Sequence, residues 1–163
     1  MISLAPLPRA DIGLDFEPSF EIVQHLTLAP GQDRYLHPIA DMTHKAPPTD
    51  MFHIIRRGAE VVGFFKIDSA FAHAGPNAWG MRGFLVGAQV QGQGIGSSAL
   101  AALPAYLAVQ YPALARLYLT VNSDNAAALH VYKSAGWVQQ PEIVADGRSG
   151  PQNIFVLELP MHG

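Results

Sequence analysis

The 163-residue chain contains no cysteine. That single absence excludes disulfides, thiolate metal sites and a cysteine nucleophile. Charge is scarce as well: 10 Lys and Arg stand against 13 Asp and Glu, 14% of the chain, where a soluble domain usually carries ~25%. The net charge of -3 gives no global pull toward nucleic acid or an anionic membrane. No run approaches the ~20 apolar residues of a membrane span. The opening stretch MISLAPLPRADIGLDF lacks a basic start and holds Pro6 and Pro8, so it does not read as a secretory signal, and a cytoplasmic protein is expected. The seven histidines, at 25, 37, 44, 53, 73, 130 and 162, form neither HxxxH nor HxH, so no metal site is expected.

Hydrophobic residues make up 49% of the chain. A chain of this length buries about 68–70% of its unfolded surface in one core, so residues 1–163 are expected to form a single domain. Glycine and proline punctuate the pattern. Residues 2–5 suit a short strand, and residues 6–31 read as irregular. Residues 32–42, with Tyr35, Leu36, Ile39 and Met42 in phase, suggest a helix. Two β-rich runs, 51–57 and 61–68, flank Arg57-Gly58-Ala59-Glu60, a hairpin signal. Residues 78–86 read as a strand in which Gly80 and Gly83 mark a bulge or a close backbone approach. The period turns helical over 96–111, with Leu100, Leu103, Leu107 and Tyr111 on one face and Pro104 set to kink or split it. Leu117, Leu119 and Val121 alternate as a strand, 125–135 reads as a short helix, 141–152 as a loop, and 153–159 as a last strand. This order implies an α/β fold: a mixed, mainly antiparallel sheet of six to seven strands with helices on both faces. Its strand–helix–strand unit is a right-handed crossover between parallel strands.

The most informative stretch is Val90-Gln91-Gly92-Gln93-Gly94-Ile95-Gly96-Ser97-Ser98. A strand enters it and a helix leaves it. Three glycines at alternate positions let backbone N–H groups face one concavity, and the helix N-terminus adds its positive end. This is a phosphate or pyrophosphate site, or else a glycine-rich turn with no ligand. No lysine follows, so it is not a Walker loop. The third position of a dinucleotide fingerprint is Ser97 rather than glycine, which disfavours a nicotinamide-dependent oxidoreductase.

The pattern that fits is Gln-x-x-Gly-x-Gly, met by Gln91, Gly94 and Gly96. Here the chain resembles the GNAT superfamily of acetyl-CoA-dependent N-acyltransferases. A second motif resembles the same family: Val121-Asn122-Ser123-Asp124-Asn125, then Tyr132, then Gly136-Trp137. Asn125 suits a helix N-cap, Tyr132 shares its helix face two turns on, and Gly136 suits a left-handed cap. The two motifs stand in family order, and the resemblance covers roughly residues 50–160. Residues 26–45 also resemble, more faintly, the start of the diamine acetyltransferase branch.

The resemblance implies acetyl-CoA as cofactor and an amine as acceptor. It implies that Gln91, Gly92, Gln93, Gly94, Ile95, Gly96 and Ser97 hold the pyrophosphate. Phe84, Leu85 and Val86 would pair with the pantetheine arm at a bulge permitted by Gly83, and Asn122 and Asn125 would complete the cofactor site. Tyr132 would be the general acid. A thiolate of pKa near 8.5 leaves more easily with a proton donor, and a tyrosine hydroxyl near 10 can serve. Residues 78–86 hold no Asp or Glu, and Asp68, Glu60 and His73 read as surface groups, so the base is expected to work through water or to be dispensable. Arg82, on the same strand, suits an acceptor carrying a carboxylate. Phe52, Phe71, His73 and Trp79 are candidates for an acceptor pocket or for the core. Asp15, Glu17, Glu21, Asp33, Asp41 and Asp50 read as surface charge. The expectation is direct acetyl transfer to a small-molecule primary amine, with a homodimer possible. The rivals are acetylation of a protein lysine or N-terminus, and a non-catalytic acyl-CoA sensor.

Overall fold

The computed structural model describes residues 1–7, 9–12, 15–18, 22–36, 42, 47–147 and 149–160, with the backbone alone in 9–12 and 15–18. The elements in chain order are β1 (Ile2–Pro6), β2 (Arg9–Ile12), β3 (Asp15–Pro18), β4 (Asp50–Arg57), β5 (Glu60–Asp68), β6 (Gly80–Val86), α1 (Ile95–Gln110), β7 (Arg116–Asn122), α2 (Ala126–Ser134), β8 (Val138–Val144) and β9 (Gln152–Glu158). Seven strands form a sheet in the order β1-β4-β5-β6-β7-β9-β8, and β2 and β3 form a separate hairpin. β1 is antiparallel to β4, β6 is parallel to β7 at Gly80↔Tyr118, and β9 is antiparallel to both β7 and β8. The sheet is therefore mixed and mostly antiparallel, as the sequence predicts.

The chain divides into two compact units, residues 1–67 with 83–99, and residues 68–82 with 100–163. In the first, β5 is a nearly continuous apolar run buried on both faces. Successive residues serve opposite faces: the Phe64 ring stacks on Phe52 at 5.8 Å, and the Phe65 ring on His53 at 5.0 Å. Leu7, Val23, Leu26, Met42, Ile54, Phe64 and Leu85 form one buried cluster. Gly63 permits a close strand approach, since a Cβ there would lie 2.6 Å from the Leu85 carbonyl oxygen. Asp50 is buried rather than a surface charge, and its carboxylate takes Lys66 at 3.2 Å.

In the second unit the buried side chains include Phe71, Leu100, Leu103, Leu107, Leu117, Leu119, Phe155 and Trp137. The three leucines of α1 follow the predicted helical spacing, and those of β7 the predicted alternation. Gly80 lets the Phe71 ring lie directly on the strand, since a Cβ would fall 2.2 Å from it.

Several expectations change. Residues 6–31 contain the β2–β3 hairpin. The helix expected over 32–42 is a single 3-10 turn at Gln32–Arg34 followed by a turn and a bend, with residues 37–41 outside the described set. The expected loop at 141–152 begins as β8, an edge strand whose register shifts between Gln139 and Ile143. Pro141 lies in that shift, the kind of position where a strand tolerates proline. Pro104 does not split α1, which runs unbroken from Ile95 to Gln110.

Candidate functional site

The glycine loop lies in the first unit, between β6 and the start of α1. Gly92 and Gly94 both have φ +77, in the left-handed region that side chains avoid, and a Cβ at either would meet nothing within 4 Å. Gly96 has no such φ; a Cβ there would rest 3.7 Å from Val86 and 3.9 Å from Phe84. Two glycines thus shape the turn, and the third leaves space at the helix start beside β6. The Gln91 side-chain amide donates to the Val86 carbonyl at 2.9 Å and to Gln32 Oε1 at 3.1 Å, which fixes the loop against the strand it leaves. Gln93 Oε1 accepts from Arg57 Nη1 at 2.6 Å. Ile95 is buried and anchors the helix start, while Ser97 is exposed. Gly83 has φ +62, the expected irregularity in β6 just before Phe84, Leu85 and Val86. Leu85 is fully buried, and the half-buried Phe84 ring tilts against Phe65 at 6.2 Å.

The second motif lies in the second unit. β7 ends at Asn122, and α2 is capped by Asn125, whose side-chain oxygen accepts the Ala128 N–H at 3.3 Å. At the other end Gly136 has φ +93. Its N–H reaches the Lys133 carbonyl and the Trp137 N–H reaches the Tyr132 carbonyl, both at 3.1 Å. That is the Schellman arrangement expected of this glycine. Tyr132 is half-buried, and its ring meets Trp137 edge-on at 5.7 Å. Burial pushes the Tyr132 hydroxyl well above the ordinary tyrosine value; a tyrosine is protonated at neutral pH even without that shift. Among the described residues, Asn122 Nδ2 and Trp137 Nε1 of this motif are buried donors without a protein partner. Asn122 is 6% exposed. An orphaned buried amide is costly, about 1–3 kcal/mol, unless something accepts from it.

The expected acceptor pocket does not form as a set. Phe52 is partly buried and packs against the core of the first unit. Phe71 is fully buried, with the Arg82 guanidinium stacked 4.6 Å from its centroid and His73 at its edge. Trp79 lines a cavity of 960 Å³ with Tyr111, Tyr118, Arg116 and Glu158, and none of the predicted cofactor or catalytic residues lines it. Asp68 is not a surface group either: it is buried, and it accepts from Arg82 Nε at 2.8 Å and from the Ala70 N–H at 2.8 Å. Glu60 stays exposed beside Arg57, and His73 is exposed. Sequence reasoning misses Arg57 and Gln32 as partners of the loop. They lie 36 and 59 residues from the loop glutamines they bind, and no local pattern links them.

A family model for GNAT acetyltransferases matches residues 16–137. The chain belongs to the GNAT family. It is an acetyltransferase, and the family uses acetyl-CoA. The open glycine cradle fits such a cofactor, which offers phosphates to backbone N–H groups. No curated protein matches the sequence. Among solved structures, the ribosomal-protein-S18-alanine N-acetyltransferase from Escherichia coli is 19% identical with a TM-score of 0.66, covering 100% of this chain and 97% of that one. An acetyltransferase from Thermus thermophilus is 20% identical with a TM-score of 0.64, covering 97% of each. The aminoglycoside acetyltransferase AAC(6')-Ib, in complex with coenzyme A, is 16% identical with a TM-score of 0.66, covering 97% of this chain and 95% of that one. At these identities the likeness is one of fold. Among the described residues no helix of this GNAT enzyme is long and apolar enough to cross a membrane, and no cluster of three metal-ligating side chains occurs.

Proposed function

We propose that this GNAT enzyme acetylates a primary amine of a small molecule directly, within a ternary complex, with Tyr132 as general acid. Acetyl-CoA supplies the activated acetyl thioester. The absence of cysteine removes a covalent acetyl-cysteine carrier, which supports one-step transfer. The observation that carries the reading is Tyr132, a hydroxyl-bearing residue on the helix that Asn125 caps, with its ring set against Trp137. In the proposal the amine nitrogen bonds the acetyl carbon and the carbon–sulfur bond breaks; the Tyr132 hydroxyl proton goes to the departing sulfur, the acceptor nitrogen loses its proton to water, and Tyr132 regains a proton from solvent. Gln91 through Ser97 hold the pyrophosphate, with Phe84, Leu85, Val86, Asn122 and Asn125 along the cofactor. The family match runs through both compact units, which supports treating residues 1–163 as one acetyltransferase domain.

Arg82 narrows the acceptor. Asp68 takes its Nε, its plane stacks on Phe71, and its terminal Nη groups have no hydrogen-bond partner among the described residues. Such a guanidinium suits an amine that also bears a carboxylate and disfavours a polycation, so it weighs against the diamine branch. The test is release of CoA thiol against matched acceptors: amino acids and their amides, diamines, an aminoglycoside, and a peptide beginning with alanine. The reading expects turnover on a small carboxylated amine. Turnover of the peptide alone would transfer the assignment to protein N-termini. Cofactor binding with no turnover across the panel would support an acyl-CoA sensor.

A further inference from the structure

Residues 83–115, which include the end of β6, the glycine loop and the whole of α1, contain no charged side chain and no histidine. The cradle of a cofactor rich in phosphate negative charge therefore relies, within its own segment, on backbone N–H groups and the helix end alone. Among the described residues, a cation from another part of the chain hydrogen-bonds to the loop. Arg57 stands at the end of β4, at the hairpin into β5, and its Nη1 donates to Gln93 Oε1 at 2.6 Å, between Gly92 and Gly94. Its Nη2 lies 3.5 Å from Glu60, which is 60% exposed. The remaining guanidinium N–H groups have no partner among the described residues. An exposed pair of this kind holds weakly and exchanges readily. A guanidinium binds phosphate through two parallel hydrogen bonds, more strongly than a neutral donor does.

We infer that Arg57 is a phosphate-binding residue for coenzyme A, held at the rim of the cradle by Gln93 and restrained by Glu60. Glu60 competes with the cofactor for the same guanidinium. The hairpin thus supplies the charge that the loop segment lacks. The inference concerns cofactor affinity and is independent of which amine is acetylated.

The experiment is calorimetric titration of CoA and of 3′-dephospho-CoA, without acceptor, into the wild type, Arg57→Gln, Arg57→Lys and Glu60→Gln at one ionic strength. Thermal unfolding of each variant runs in parallel. Arg57→Gln should weaken CoA binding about tenfold, and Arg57→Lys less. Glu60→Gln should tighten it severalfold, an effect that a merely structural hairpin contact would not produce. A loss confined to CoA assigns the contact to the 3′-phosphate, and a loss for both nucleotides assigns it to the pyrophosphate. Wild-type affinity for both nucleotides in Arg57→Gln overturns the inference. If that variant does not fold, Glu60→Gln decides: weaker or unchanged CoA binding also overturns it.

Discussion

Substituting Gly96 by alanine separates what the glycine loop does for the fold from what it does for the cofactor. Gly96 lies in the first turn of α1, and its φ is outside the left-handed region. Its added methyl would sit at ordinary contact distance, 3.7 Å from Val86 and 3.9 Å from Phe84. Nothing must shift to receive it. Alanine is better than glycine inside a helix by roughly 0.5–1 kcal/mol, and a first-turn position should give about half a kilocalorie. For a chain of this size that raises Tm by about 1–2 °C. The same methyl would stand on the side of Phe84 and Val86, where the cofactor arm is proposed to lie. Acetyl-CoA affinity should therefore fall about 10–100-fold, or about 1.4–2.8 kcal/mol. Gly94→Ala is the companion. Its φ of +77 imposes a left-handed residue costing about 1–2 kcal/mol, so Tm should drop as affinity drops. Differential scanning calorimetry and CoA titration on both variants give the two readouts. Wild-type CoA affinity in a folded Gly96→Ala would refute the idea that the cofactor occupies this space.

Further predictions concern catalysis, packing and pH. Tyr132→Phe should lower kcat by about 10²-fold or more, the usual reach of general acid catalysis, with CoA affinity near wild type by titration. Gly63→Ala forces a methyl to 2.6 Å from the Leu85 carbonyl and 2.7 Å from Ile55 Cδ1. It should cost about 1–3 kcal/mol in urea unfolding, the range for overpacked cores. His53 is buried against Phe65, and burial lowers its pKa to about 4. The unfolded chain then binds a proton, near pH 6.5, that the folded chain refuses. Stability from this group is fully present above about 6.5 and is lost as pH falls toward 4, by about 3 kcal/mol at most. Urea midpoints across that range should slope downward with acid, and His53→Gln should flatten the slope.

What is legible in the sequence is short-range. Asn125, Tyr132, Gly136 and Trp137 lie within one helix and its two caps, and capping chemistry is local. The Gly80 and Gly83 signals are local in the same way: one glycine clears space for Phe71 and the other adopts a positive φ. The long-range pairs are not legible. Asp50 looks like a surface acid because only the fold brings Lys66 to it, and Asp68 is fixed by Arg82 from the next strand. β8 reads in part as loop because Pro141 and Glu142 disfavour a strand interior, which an edge strand with a register shift accommodates. The β2–β3 hairpin lies in a proline-marked stretch with no alternation strong enough to separate it from coil.

The two tryptophans have very different surroundings. Trp137 is 2% exposed, has no partner for its indole N–H among the described residues and presents an edge-to-face contact to Tyr132. Trp79 is only half-buried and faces an open cavity. The protein therefore carries two separable fluorophores. The Trp79 signal should yield to acrylamide quenching, while Trp137 emits from a dry site beside the proposed proton donor. A Trp79→Phe variant would leave one native optical reporter just past the end of α2, against the ring of Tyr132. Because the chain has no thiol of its own, the same sample can be followed by thiol chemistry, with every free sulfhydryl that appears belonging to released coenzyme.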